Sequence, residues 1–119
     1  MTEYLAQPEE GGIPSHSLMM FATVCTDPSR EQEFNLWYDA MHMVDILETE
    51  GFTTATRYQR VDAERGPGEP QSLALYEMSA SDPMGPPTAM RPIMDRKRDC
   101  GRRVDAVERT HRAYLRRVL

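Results

Sequence analysis

Long apolar runs are missing from this sequence. None approaches the roughly 18 to 20 residues that a membrane-spanning helix requires, so an integral membrane protein is not expected; mean hydropathy is −0.62. Cysteine is scarce: Cys25 and Cys100 offer neither a zinc-ligand spacing nor a disulfide framework, which predicts a reducing, cytoplasmic home. The opening segment MTEYLAQPEEGG is acidic and has no basic patch followed by an apolar core, so no secretory leader is expected. Histidine occurs at positions 16, 42 and 111 only, too scattered for a ligand set, and no His-Glu helix motif is present, so no metal is expected. No glycine-rich loop follows a strand, which argues against a nucleotide cofactor.

Lysine is nearly absent as well, one against thirteen arginines, and the charge is lopsided. Residues 1–90 carry 4 basic and 15 acidic side chains, net −11, while residues 91–119 carry 10 and 4, net +6, giving the −5 of the whole chain. A basic tail can mean nucleic acid. Here the acidic body would repel phosphate, and the tail offers only Tyr114 for stacking a base, so nucleic-acid binding is not expected. The simple expectation is that the tail pairs with the body.

With 119 residues the chain makes one domain, of a size that often gains stability from a partner chain. Residues 1–16, rich in proline and glycine, read as a mobile lead-in, and residues 17–119 as the domain. The run SLMMFATVCT from Ser17 to Thr26 is nearly all apolar and suits a strand buried on both faces. A helix should follow, capped by Asp27 with Pro28 at its first position, or by a Ser29–Gln32 capping box one step later, and should end before Gly51. At 100° per residue, Phe34, Trp37, Met41 and Val44 fall within about 80° of one another, a core stripe. Tyr38, His42 and Asp45 share its flank.

Phe52 to Val61, rich in threonine and aromatic residues, reads as a strand with Phe52, Thr54, Thr56 and Tyr58 on one face. After a turn over Asp62 to Pro70, Gln71 to Ser79 reads as the second strand of a hairpin. SASDPMGPP reads as a loop, and Thr88 to Asp99 as a short helix interrupted at Pro92. Val107, His111, Tyr114, Leu115 and Val118 recur with helical spacing. The order is therefore β-α-β-β-α followed by an element that local pattern alone makes a helix.

The stretch from Glu33 to Gln59 resembles the dimeric α+β barrel superfamily, and more narrowly its EthD-like branch. The residues that carry the resemblance are Trp37, Tyr38, His42 and Asp45 in the helix, then Gly51 and Phe52, then Arg57 and Tyr58 in the strand. The resemblance implies a ferredoxin-like α+β fold, β-α-β-β-α-β, whose chains pair sheet to sheet as a homodimer. It turns the last element into a strand around Ala113 to Val118, with Asp99 to Glu108 left as helix or loop.

His42 is the leading candidate for a working residue, because imidazole exchanges a proton near neutral pH. Asp45 could orient it, and Tyr38 could donate a hydrogen bond to an oxygen that gains charge in the transition state. These three form the expected catalytic set. Arg57 is expected to anchor substrate, with Trp37, Tyr76 and Phe21 as further substrate-contacting residues. Met19, Met20, Met41 and Met43 suggest an adaptable apolar cavity beside them. Each feature also has a plain structural reading: Tyr38 as a helix-edge residue, His42 with Asp45 as a surface pair, Arg57 as an ion-pair partner, the methionines as core.

The chemistry that fits is proton transfer, without a cofactor, on a small carbonyl-bearing molecule. The resemblance implies isomerisation, cyclisation or dehydration of a polyketide-like or aromatic metabolite. It also leaves open a cofactor-independent monooxygenase, a non-catalytic small-molecule carrier and, as a minor alternative, haem on His42.

Overall fold

A computed structural model of the protein describes residues 17–62, 69–80, 82–101 and 104–118. The expected lead-in over residues 1–16, and most of the turn expected between Asp62 and Pro70, lie outside them.

The apolar run folds as β1 (Ser17–Cys25), an interior strand flanked by β3 (Ser72–Met78) and β4 (Val107–Arg116), with β2 (Phe52–Gln59) on the far edge of β3. All pairings are antiparallel, in the order β2-β3-β1-β4. This is the ferredoxin-like arrangement, and an interior position accounts for a strand without polar alternation. Met19, Phe21 and Cys25 of β1, with Ala74, Tyr76 and Met78 of β3, form one core with Phe34, Trp37, Tyr38 and Ile46 from the helical layer. Each large apolar side chain so buried is worth about 1.5–3 kcal/mol. By strand alternation the opposite sheet face carries Leu18, Met20, Leu73, Leu75 and Leu115, none of them fully buried.

The first helical segment begins as expected. The Asp27 carboxylate accepts from the backbone N–H of Ser29, and Pro28 opens a single 3₁₀ turn, Pro28–Arg30. From there α1 (Glu31–Trp37) runs into a π turn over Tyr38–His42 and continues as α2 (Met43–Leu47). The π turn breaks the expected core stripe. Phe34 and Trp37 are buried, but Val44 is 46 % exposed, while Asp45 and Ile46 beside it are 1 % and 0 % exposed. A π turn closes i→i+5 and so inserts one extra residue, which advances every later position around the axis.

Two strand bulges have the same kind of consequence. Pairing of β2 with β3 shifts register between Phe52 and Thr54, which puts Phe52 on the helix-facing side with Ala55 and Arg57. The single-face set of Phe52, Thr54, Thr56 and Tyr58 is thereby corrected. In β4 the register shift leaves Thr110 unpaired between Arg109 and His111, so Val107, Arg109, Arg112 and Tyr114 share the helix-facing side. A strand with one skipped position spaces its inward residues by two, three and two. Of the residues with helical spacing only Val107 and Tyr114 face the helices, while His111 and Leu115 pair with Ala22 and Leu18 on the other side, so that periodicity has no counterpart in the strand. The strand implied by the family resemblance is present, and it begins at Val107, inside the stretch assigned to helix or loop.

The segment expected to be loop through Pro87 instead opens α3 (Gly85–Asp99). Pro86 and Pro87 fall in its first turn, where backbone N–H groups have no intrahelical acceptor and proline loses nothing. Pro92 does not interrupt the helix. It and Thr88, whose carbonyl it leaves without an N–H donor, are both exposed, so water can satisfy that carbonyl.

Candidate functional site

Between the helical layer and the sheet lies a cavity of about 440 Å³, within the usual range for small-molecule sites. Its helical wall carries Trp37, Tyr38 and His42, its floor Phe21 and Thr23 of β1, and α3 contributes Met90 and Met94. The expected methionines are therefore replaced by two others. Met19 is fully buried in the core, and Met20 alternates to the opposite sheet face.

The π turn assembles the aromatic wall. The Met43 N–H donates to the Tyr38 carbonyl, closing the wide turn. It brings the imidazole of His42 parallel to the indole of Trp37, centroids 4.5 Å and planes 23° apart, and edge-on to the Tyr38 ring at 5.2 Å. Burial between these rings pushes the imidazole down from 6.5 to about 4, with the Asp45 carboxylate opposing and the Arg109 guanidinium adding to the effect. His42 is therefore neutral at pH 7 and faces the cavity with its proton-accepting nitrogen unprotonated, though as a weaker base than a free imidazole.

Tyr38 is 1 % exposed. Burial raises its phenol above the usual range, opposed by the neighbouring hydroxyls of Thr23 and Tyr76, so it stays protonated and can act only as a neutral donor or acceptor. Burial likewise raises Tyr76, and Tyr38 beside it adds to that. The Thr23 Oγ1 and Tyr76 hydroxyl oxygens are buried without hydrogen-bond geometry to any partner among the described residues. Thr23 lines the cavity; Tyr76 sits behind it in the core.

Of the expected catalytic and binding residues, the cavity brings together His42, Tyr38, Trp37 and Phe21. Asp45 does not line it. Its buried carboxylate lies 3.4 Å from Lys97 Nζ of α3, and it acts on His42 through space, with no hydrogen bond to the imidazole. Arg57 is also outside the cavity. It pairs with Asp39 at 3.1 Å, bonds Asn35, and lies over the Phe34 and Tyr38 rings, so the expected substrate anchor is an ion-paired support behind Tyr38.

The residues that sequence reasoning missed are cationic. Arg91 and Arg98 of α3 and Arg109 and Arg112 of β4 all line the cavity. The basic excess after residue 90 is their signal in the sequence, where charge count alone points only to general pairing with the acidic body. Part of it does pair so: Lys97 lies 3.0 Å from Glu48 and 3.4 Å from Asp45. Among the described residues no group of three or more metal-ligating side chains occurs, and no helix is long and apolar enough to cross a membrane.

No family model matches the chain, and no curated protein matches it. Solved structures do. HapK from Hahella chejuensis superposes with a TM-score of 0.62 at 8% identity, over 86% of this chain and 92% of that one. A candidate monooxygenase from Shewanella loihica PV-4 superposes with a TM-score of 0.56 at 11% identity, over 91% and 99%. At such identities the likeness establishes the fold alone, an antiparallel four-stranded sheet covered by helices, and function has to be argued from the site.

Proposed function

We propose that the chain is a cofactor-independent enzyme of the EthD-like branch that moves a proton on a small carbonyl-bearing metabolite, in an isomerisation, cyclisation or dehydration. The observation that carries this reading is His42, a neutral imidazole held between Trp37 and Tyr38 on the wall of the cavity. His42 takes the proton alpha to the carbonyl. Tyr38, kept protonated by burial, donates to the oxygen on which charge develops. Asp45 favours the imidazolium formed in that step through its field, and Trp37 fixes the ring plane. Two chains pair through the open sheet face, which completes a dimeric barrel.

The test is to delete the gene and compare metabolite masses with the parent strain, complementing with the wild type and with His42→Ala. An isobaric precursor that accumulates and is cleared only by the wild type supports isomerisation or cyclisation, and one heavier by one water supports dehydration. A precursor lighter by one oxygen would replace the reading with oxygenation. Loss of a general base costs about 10²- to 10⁴-fold in rate, so full rescue by His42→Ala removes His42 from the chemistry. An unchanged profile on deletion makes the chain a carrier.

A further inference from the structure

The chain is acidic overall, with 19 acidic and 14 basic side chains, yet the cavity lining is strongly cationic. Four arginines border it, Arg91, Arg98, Arg109 and Arg112, against the single carboxylate of Asp95. Asp95 is already engaged, 3.4 Å from Arg98. Among the described residues no carboxylate lies within ion-pair distance of Arg91, Arg109 or Arg112, in a chain where Arg30, Arg57 and Arg60 all have one. Folding has thus left three guanidinium groups unneutralised around one concave, partly apolar surface.

Their placement is not incidental. Arg112 stands opposite Phe21 in the sheet and Arg109 opposite Thr23, and the bulge at Thr110 is what turns both toward the helices. Without it, strict alternation would send one of the two to the other face. The Arg109 guanidinium lies over the Phe21 ring, 4.9 Å from its centroid, a contact that fixes its position while leaving its N–H donors free. Deeper in, beside the Tyr38 hydroxyl, Thr23 is 6 % exposed and its Oγ1 has no hydrogen-bond geometry to any partner among the described residues. A buried hydroxyl left unsatisfied carries a cost that a ligand atom can relieve.

We propose that the cavity takes an organic oxyanion with a flat apolar body, its charged group held at the mouth by Arg91, Arg109 and Arg112 and a hydrogen-bonding atom bound at Thr23 Oγ1. Planar guanidinium groups match the geometry of a carboxylate, and Phe21, Trp37 and Met90 supply apolar surface for a ring. Resting on the proton-transfer reading of the same cavity, this narrows the substrate class from a carbonyl-bearing metabolite to one that also carries an acidic group.

The test compares 2-naphthoate with its neutral counterpart 2-naphthamide by isothermal titration of the full chain at pH 7. Trp37, the chain's one tryptophan, reports by its fluorescence whether the bound ring reaches the cavity. The expected result is naphthoate binding about tenfold tighter than the amide, the size of one charge-assisted hydrogen bond. Arg109→Gln with Arg112→Gln should shrink that preference to about threefold or less, weakening the acid more than the amide. Should the double variant lose its folded circular dichroism, Arg91→Gln on exposed helix surface and the salt dependence of naphthoate binding read the same interaction. Equal binding of acid and amide by the wild type overturns the proposal, as does a preference untouched by the arginine substitutions, or no binding of either probe.

The two readings fail separately. An intact preference for the acid in a protein whose gene deletion changes no metabolite sinks the proton-transfer reading and leaves the anion site. A metabolite change that depends on His42, with no preference for the acid, does the reverse.

Discussion

Trp37 and His42 stack face to face, 4.5 Å apart, although they are five residues apart along one helical segment. In an α-helix residues five apart diverge by about 140°, from 100° per residue, and their side chains do not meet. The π turn from Tyr38 to His42 is wide enough to bring them together, and π turns recur at functional sites because they re-aim side chains in this way. Here the turn does two things at once. It takes the imidazole out of water against an indole, and it rotates Asp45 and Ile46 under the helix.

The depressed pKa of His42 makes stability depend on pH with a definite sign. Its pKa falls from 6.5 to about 4 on folding, so between those values the unfolded chain binds more protons than the folded one. Stability therefore rises with pH across that window and is lost as pH falls through it. From pH 7 to pH 5 this group alone should remove about 2 kcal/mol. Urea titrations of the wild type and of His42→Gln at both pH values isolate it from the carboxylates. The wild type should lose about 2 kcal/mol more than the variant, and parallel losses would mean an imidazole open to water.

Tyr76 presents a buried hydroxyl with no hydrogen-bond geometry to any described neighbour, and its ring packs edge-on against Phe21 and Phe52. Removing an unsatisfied polar atom while keeping the ring should cost nothing and can stabilise. We expect Tyr76→Phe to change unfolding free energy by between about 0 and +1 kcal/mol. A loss of about 2 kcal/mol or more in urea denaturation would reveal a hydrogen bond from this hydroxyl in solution.

Much of this architecture was legible in the sequence, and the failures share one origin. The apolar run of β1, the Asp27–Pro28 helix start and the hairpin of β2 and β3 follow from pattern and turn chemistry. The π turn at Tyr38, the bulge before Thr54 and the bulge at Thr110 each add one residue to a regular repeat. Every face assignment beyond them then moves, so regular spacing sets Val44 inward and Phe52 with Thr54, and it hides the shared inward face of Arg109 and Arg112. Local pattern alone would have lost β4, and only the resemblance carried by Trp37, His42 and Arg57 restored it. His42 was found as a chemical type. Arg109 and Arg112 were missed because a charged edge strand ordinarily faces water, and nothing local shows that the chain turns these two inward.

The open sheet face gives a test of the proposed dimer. Leu18, Leu73, Leu75 and Leu115 lie on the side of the sheet opposite the core, and Leu115 is 44 % exposed. A sheet-to-sheet dimer buries these side chains, so a charge placed among them should dissociate it while leaving the helix-side core alone. Leu75→Glu is expected to sediment as a monomer with wild-type far-UV circular dichroism, and the wild type as a dimer. A wild-type chain that sediments as a monomer at tens of micromolar would end the barrel proposal.

Gly51 joins the end of α2 to β2 at a φ of 105°, and a Cβ built there would stand 2.7 Å from Cγ of Pro86. Gly101 also has a positive φ, 84°, but its added Cβ would meet nothing within 4 Å. The pair separates backbone strain from steric conflict. Gly101→Ala should cost about 1 kcal/mol, the strain of a left-handed alanine. Gly51→Ala should cost that plus the displacement of a proline ring that has no rotamer to escape into, about 2–4 kcal/mol in all. Pro86 lies in the first turn of α3, and Gly51 O accepts from Ser79 N–H at 3.0 Å just before it. The clash would therefore push α3 away from the sheet and widen the cavity between them. Urea denaturation of both variants measures the difference, and equal costs would show that the start of α3 yields freely, so that the cavity's helical wall is not rigidly held.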